Sequence, residues 1–125
     1  MMQYFLSLGS NINAEANIIF AIEQLNKILT NTKFSSIHKT KAEGFEGDDF
    51  LNLVVAGESE LNFDQLNQKL KDIENQSGRK RDVPKFSART LDIDIVLQID
   101  DDEIIYESDE IEKYSFVSEP LKEVL

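Results

Sequence analysis

Apolar and polar positions alternate over residues 3–8, with Tyr4, Leu6 and Leu8 on one side and Phe5 on the other, until Gly9-Ser10-Asn11 interrupts them. That pattern predicts a short buried strand closing in a tight turn. The period then lengthens. Ala16, Ile19, Phe20, Ile22, Leu25, Ile28 and Leu29 recur at helical steps, with Glu15, Glu23, Gln24 and Lys27 between them, which predicts an amphipathic helix of about four turns. Residues 33–40 read as a second strand, and the polar, glycine-containing stretch 41–49 reads as a loop long enough to be a lid or binding loop. Phe50, Leu51, Leu53, Val54 and Val55 mark residues 50–58 as a central strand. Asn62 and Gln65 have the spacing of a capping box, and Phe63, Leu66, Leu70 and Ile73 form the stripe of a second helix that Gly78 stops. Residues 91–97 alternate at period two, and the acidic run 100–103 reads as the turn of a hairpin into Ile104-Ile105-Tyr106. Ser118-Glu119-Pro120 reads as the cap of a short terminal helix. The order is strand, helix, strand, strand, helix, strand. It predicts an α+β fold with both helices on one face of an antiparallel sheet: a ferredoxin-like βαββαβ plan with an added hairpin and a short C-terminal helix.

Composition narrows the class. The chain has 125 residues, 41% hydrophobic and 30% charged, so residues 1–125 are expected to form a single domain that buries a core. No apolar run approaches the roughly 18 residues of a membrane span, and the first residues lack the basic start and cleavage site of a secretory signal. The absence of cysteine removes disulfides, thiolate metal sites and a cysteine nucleophile, and suits a cytoplasmic protein. The net charge of −11 is concentrated, because residues 100–112 hold eight acids and no base. Residues 78–89 run the other way. They carry Arg79, Lys80, Arg81, Lys85 and Arg89 against the single acid Asp82, and these arginines are the only ones in the chain. A guanidinium fork matches phosphate oxygens two at a time, so the cluster reads as a phosphate-binding loop; the plainer alternative is a solvated loop that offsets the neighbouring acids.

Asp92 and Asp94 follow directly. Two residues apart on a strand, they lie about 7 Å apart at Cα and point to one side, while Leu91, Ile93 and Ile95 point to the other. Paired carboxylates repel unless a cation or proton intervenes, and two hard oxygen ligands suit magnesium shared with substrate phosphates. A half-exposed strand with a wet polar face is the bland alternative.

Gly78-Arg79-Lys80-Arg81 followed by Arg89-Thr90-Leu91-Asp92-Ile93-Asp94 resembles the signature of the 6-hydroxymethyl-7,8-dihydropterin pyrophosphokinase family. Leu8-Gly9-Ser10-Asn11, Phe50-Leu51-Asn52, Ile73-Glu74, Phe116 and Pro120-Leu121 extend the likeness over nearly the whole chain. The resemblance implies transfer of pyrophosphate from ATP to the hydroxymethyl oxygen of the pterin, giving AMP. It implies that Asp92 and Asp94 hold two magnesium ions, and that Arg79 and Arg89, with Arg81, grip the ATP phosphates beside Glu74 and Phe86. It further implies that Thr40, Gly44, Phe50, Asn52 and Phe116 form the pterin side, the carboxamide of Asn52 reading the amide edge of a ring held between Phe50 and Phe116. Both partners are then small molecules, with no nucleic acid and no membrane.

The chain departs from the family pattern in several places, among them Lys41-Ala42-Glu43, where prolines and an apolar residue are common. Glu107-Ser108 stand where a Pro-His pair is usual, and Tyr114 stands where a basic residue is usual, while Asp109, Glu110 and Glu112 add negative charge nearby that Lys113 offsets in part. These departures predict an active enzyme with weakened or altered nucleotide binding. A pterin- or nucleotide-binding relative without catalysis stays open as the alternative. A ferredoxin-like nucleic-acid module would need an RNP-like motif and a basic face, and the sequence has neither. His38, the only histidine, is expected to be structural.

Overall fold

A computed structural model describes residues 1–41, 47–78 and 90–125. Its elements are β1 (Met2–Ser10), α1 (Ala14–Ile28), β2 (Thr30–Phe34), β3 (His38–Thr40), β4 (Phe50–Ser59), α2 (Phe63–Gln76), β5 (Asp92–Asp100), β6 (Glu103–Glu107), α3 (Glu110–Lys113) and α4 (Ser115–Val124). The strands form one sheet in the order β2-β4-β1-β5-β6, with β3 also paired to β4, and each pairing is antiparallel.

Strand alternation sorts the core into two layers. Tyr4, Leu6, Leu8, Leu53, Val55, Ile93 and Ile95 face α1 and α2, meeting Ile18, Ala21 and Leu25 from one helix and Leu66, Leu70 and Ile73 from the other. Phe5, Val54, Ala56, Val96 and Leu97 face the opposite way and are covered by Val117, Leu121 and Val124 of α4. The change of side along β5 has a local cause. Phe5 pairs with Leu97 but Leu6 pairs with Ile95, so Val96 is the extra residue of a bulge, and it turns to the α4 side together with Leu97. The α2 capping box is present in both directions, with Gln65 N–H donating to Asn62 Oδ1 at 2.9 Å and Asn62 N–H donating to Gln65 Oε1 at 3.0 Å.

Three expectations are corrected. The stripe of α1 is not set by Ala16 and Ile19, which are exposed, but by Ile18, Ala21 and Leu25. The run from Ile18 to Ile22 is apolar at several helical phases, so the sheet beneath decides which one is buried. The second strand is two strands rather than one. Ser35 separates them because its hydroxyl, not a backbone carbonyl, accepts the N–H of Val54 at 2.9 Å. Finally, α4 starts before Ser118, since the carbonyl of Tyr114 already accepts from the N–H groups of Val117 and Ser118. Pro120 therefore sits inside the helix, buried, and is not a residue of its first turn.

Candidate active site

One row across the sheet organises the site. Asn52 of β4 pairs with Gly9 of β1, and Gly9 pairs in turn with Asp92 of β5. With strands spaced about 4.8 Å apart, Asn52 and Asp92 stand roughly 10 Å from each other on the same face, with a glycine between them. Phe50, Asn52, Val54 and Ala56 alternate onto one side of β4, and because Val54 and Ala56 lie under α4, this row looks toward the α4 side. Gly9 keeps the floor open. A Cβ there would approach Asn52 Oδ1 to 3.1 Å while meeting Phe50 Cδ1 at an ordinary 3.8 Å, so a side chain would crowd Asn52. Asn52 is buried, and its Nδ2 donates to Thr40 Oγ1 at 2.7 Å, leaving the carboxamide oxygen on the Gly9 side. Thr40, Phe50 and Asn52 are thus brought together beside Asp92. Phe116 belongs to the first turn of α4 and stacks on Tyr114, with ring centroids 4.8 Å apart and planes at 20°. Gly44, Arg79, Arg81, Phe86 and Arg89 lie outside the described residues.

Asp92 and Asp94 are both half-buried, while Leu91, Ile93 and Ile95 between and beside them are buried in the helix-side core. Burial first, then the negative charge of Asp92, pushes the carboxyl of Asp94 up to about 7; Glu110 and Glu74 act in the same direction and Lys71 opposes them. Desolvation and like charge both penalise the ionised form, and a cation at this carboxylate would relieve both. Burial, Asp92 and Asp109 likewise raise Glu110. Among the described residues no three acids or histidines converge into a metal cage. Two carboxylates on one strand are instead the donor set of a hard cation that keeps waters and shares phosphate oxygens, so the residues fit magnesium.

The segment carrying these acids is pinned from several sides. Ser10, fully buried, donates its hydroxyl to the carbonyl of Thr90. Ser77 Oγ donates to the carbonyl of Glu74 at 2.6 Å and lies 2.9 Å from Thr90 Oγ1, which makes Thr90 the donor in that second contact. Glu74 itself is wholly buried, and its Oε2 accepts from the N–H of Ile93 at 2.7 Å and from Lys71 Nζ at 3.3 Å. Its carboxylate therefore holds the residue between the two aspartates. Asn11 Nδ2 donates to the carbonyl of Asp48 at 3.0 Å and ties the turn after β1 to the loop before β4.

A cavity of about 350 Å³ opens beside Asp94, walled by Ile95, Lys71, Asn67, Ser108, Glu110 and the edge-to-face pair Phe63 and Tyr106. Asp109 also lines the cavity and is paired with Lys113 at 2.8 Å. Sequence reasoning passed over Lys71 and Ser77, and named Ser10 only as part of the turn after the first strand and of the family likeness. The signal for Lys71 was its position three residues before Glu74 on one helix face, a spacing that places the two side chains together.

The sheet face thus carries paired carboxylates at one end of a row and a buried carboxamide at the other, donors suited by their chemistry to a hard cation and to a flat polar group. A family model described as 7,8-dihydro-6-hydroxymethylpterin-pyrophosphokinase (HPPK) matches residues 5–125, and the chain belongs to this family. It is 38% identical over 103 residues to a 2-amino-4-hydroxy-6-hydroxymethyldihydropteridine pyrophosphokinase of Aquifex aeolicus, covering 81% of this chain and 64% of the relative. It is 34% identical over 128 residues to the protein of the same name from Bacillus subtilis, covering 96% and 76%. A folate synthesis bifunctional protein of Chlamydia muridarum is 38% identical over 104 residues, covering 77% of this chain and 23% of the relative. The chain thus spans a little under two thirds of the length of the Aquifex protein.

Proposed function

We propose that this chain transfers pyrophosphate from ATP to the hydroxymethyl group of 6-hydroxymethyl-7,8-dihydropterin, releasing AMP and the pterin pyrophosphate, as a single domain working in the cytoplasm. The observation that best supports this function is the Asn52–Gly9–Asp92 row, in which a buried carboxamide shares one sheet face with the paired carboxylates of Asp92 and Asp94. We also take the β2-β4-β1-β5 order, with both crossover helices on one face, as ferredoxin-like.

The carboxamide of Asn52 offers a donor and an acceptor in one plane, and its bond to Thr40 fixes the plane. Phe50 and Phe116 supply flat apolar faces for the ring, with Gly44 contributing backbone on the pterin side. Asp92 and Asp94 would hold two magnesium ions, which when bound neutralise the triphosphate and polarise its phosphoryl oxygens. Arg79, Arg81 and Arg89 are assigned to ATP oxygens, and Phe86 to the nucleotide. Glu74, which is buried, acts by orienting β5. The cavity beside Asp94 receives the nucleotide; its size lies in the range of small-molecule sites. With both substrates held, positioning and charge stabilisation supply most of the acceleration.

AMP formation from ATP and hydroxymethyl-dihydropterin with magnesium tests this function. Activity lost in Asp92→Ala and Asp94→Ala, with pterin binding retained, is the expected result. A second function, pterin binding without transfer, is favoured by Ser108 and Glu110 in the cavity wall, where a histidine and positive charge would be usual. Tight pterin binding by a wild-type protein that makes no AMP would establish it.

A further inference from the structure

Lys71 is the only basic residue among the described residues that line the cavity, where it faces Asp94, Asp109 and Glu110. Its ammonium lies 3.3 Å from Glu74 Oε2 and 3.7 Å from Asp94 Oδ1. The first contact is a hydrogen bond and the second is a looser ion pair. The side chain is 31% exposed and lines the cavity. Glu74 is also held by the N–H of Ile93, so that carboxylate keeps a hydrogen-bond donor when the ammonium moves from Asp94 toward a neighbouring anion. An ammonium on a four-carbon stem is a mobile point charge that can exchange one anion for another within a few ångströms.

We propose that Lys71 is a resident cation: it holds Asp94 while the site lacks metal, and hands over to a phosphate oxygen when a magnesium-bound nucleoside triphosphate enters the cavity. The proposal deepens the function given above and rests on it. Its chemistry follows from charge balance. Asp94 gains a metal and no longer needs an ammonium, while the entering polyphosphate brings negative charge into a cavity whose other described charges are acidic. Lys71 therefore competes with metal in the empty site and cooperates with it once nucleotide is bound. The handover favours the loaded nucleotide over free magnesium.

The test compares Lys71→Gln and Lys71→Arg with wild type in two titrations: manganese alone, followed by its paramagnetic signal, and a magnesium-bound nonhydrolysable ATP analogue, followed by calorimetry. Lys71→Gln should bind metal alone about threefold tighter, as removal of a partly exposed ion pair allows. It should bind the triphosphate about tenfold more weakly, the loss of one charge-assisted bond. Lys71→Arg should stay within about twofold of wild type in both titrations, and it controls for any general loosening of α2. Equal affinities in Lys71→Gln and wild type overturn the proposal, as does weaker metal binding in Lys71→Gln. If either occurs while wild type still forms AMP, the pyrophosphokinase function stands and only the handover falls. A wild type that neither binds the triphosphate nor forms AMP overturns both.

Discussion

Asp94, a metal ligand in the function proposed above, illustrates how a single residue can carry a cost to folding. Its carboxyl is pushed up to about 7, so between its unfolded value of 3.8 and that point the native protein binds the proton more tightly than the unfolded chain does. The contribution to stability is complete below about 4 and is lost as pH rises through about 7. Wild type without metal should therefore lose stability from this group between those limits, and Asp94→Asn should flatten that part of the profile and melt higher at pH 8 while abolishing turnover. Thermal melts at pH 5 and pH 8 in a chelator check this, and an unchanged pH slope would refute it. The acids themselves were legible in the sequence, because residues two apart on a strand share a side. The partners that tune them were not. Lys71 and Glu74 reach β5 from a helix about twenty residues earlier, and only packing brings them there.

At the scale of elements, α1 and α4 are each held to the sheet by a specific contact. Gly57 is the point of closest approach for the end of α1: a Cβ there would meet Leu29 Cβ at 2.9 Å and Cδ1 at 3.0 Å. Gly57→Ala should destabilise the fold by about 1–3 kcal/mol through overpacking, measured as a shift in urea midpoint with little change of slope. On the other face, Glu123 of α4 accepts from the backbone N–H of Ser36 at 2.8 Å and also contacts the Ser36 hydroxyl and His38. Those bonds, the Ser36 N–H first, hold its carboxyl down to about 2. A lowered value means that the contribution is present above about 4.5 and is lost as pH falls toward about 2. Glu123→Gln should therefore unfold more easily at pH 7 and show a shallower acid transition than wild type, followed by circular dichroism from pH 7 to pH 2. His38 thus has a structural place, as its sequence context suggested, although its partner came from the far end of the chain. Element boundaries were readable where a local device set them, as with the Asn62–Gln65 box. They were misread at Ser35 and Ser118, where a side chain or a tertiary partner set them instead.

For the whole molecule, the net charge of −11 opposes the binding of a polyphosphate, so affinity must come from local cations. A magnesium-bound nonhydrolysable ATP analogue at about 100 times its dissociation constant should stabilise the protein by about 2.7 kcal/mol, and neither EDTA with analogue nor magnesium with Asp92→Ala should do so. Differential scanning calorimetry reads this directly, and equal stabilisation by the analogue in EDTA would argue against a shared metal site. No helix among the described residues is long and apolar enough to cross a membrane. What the chain determined by itself was local in period or composition: the alternation of β5 as far as Ile95, beyond which the bulge at Val96 ends it, the cap of α2, the hairpin turn at Asp101 and Asp102, both with positive φ, and the pairing of two carboxylates. Tertiary structure decided the rest. It set which phase of α1 is buried, how α4 covers the second face, and how Gly9 joins Asn52 to Asp92. Those outcomes depend on register and packing between segments distant in sequence, and no short window of residues contains both partners.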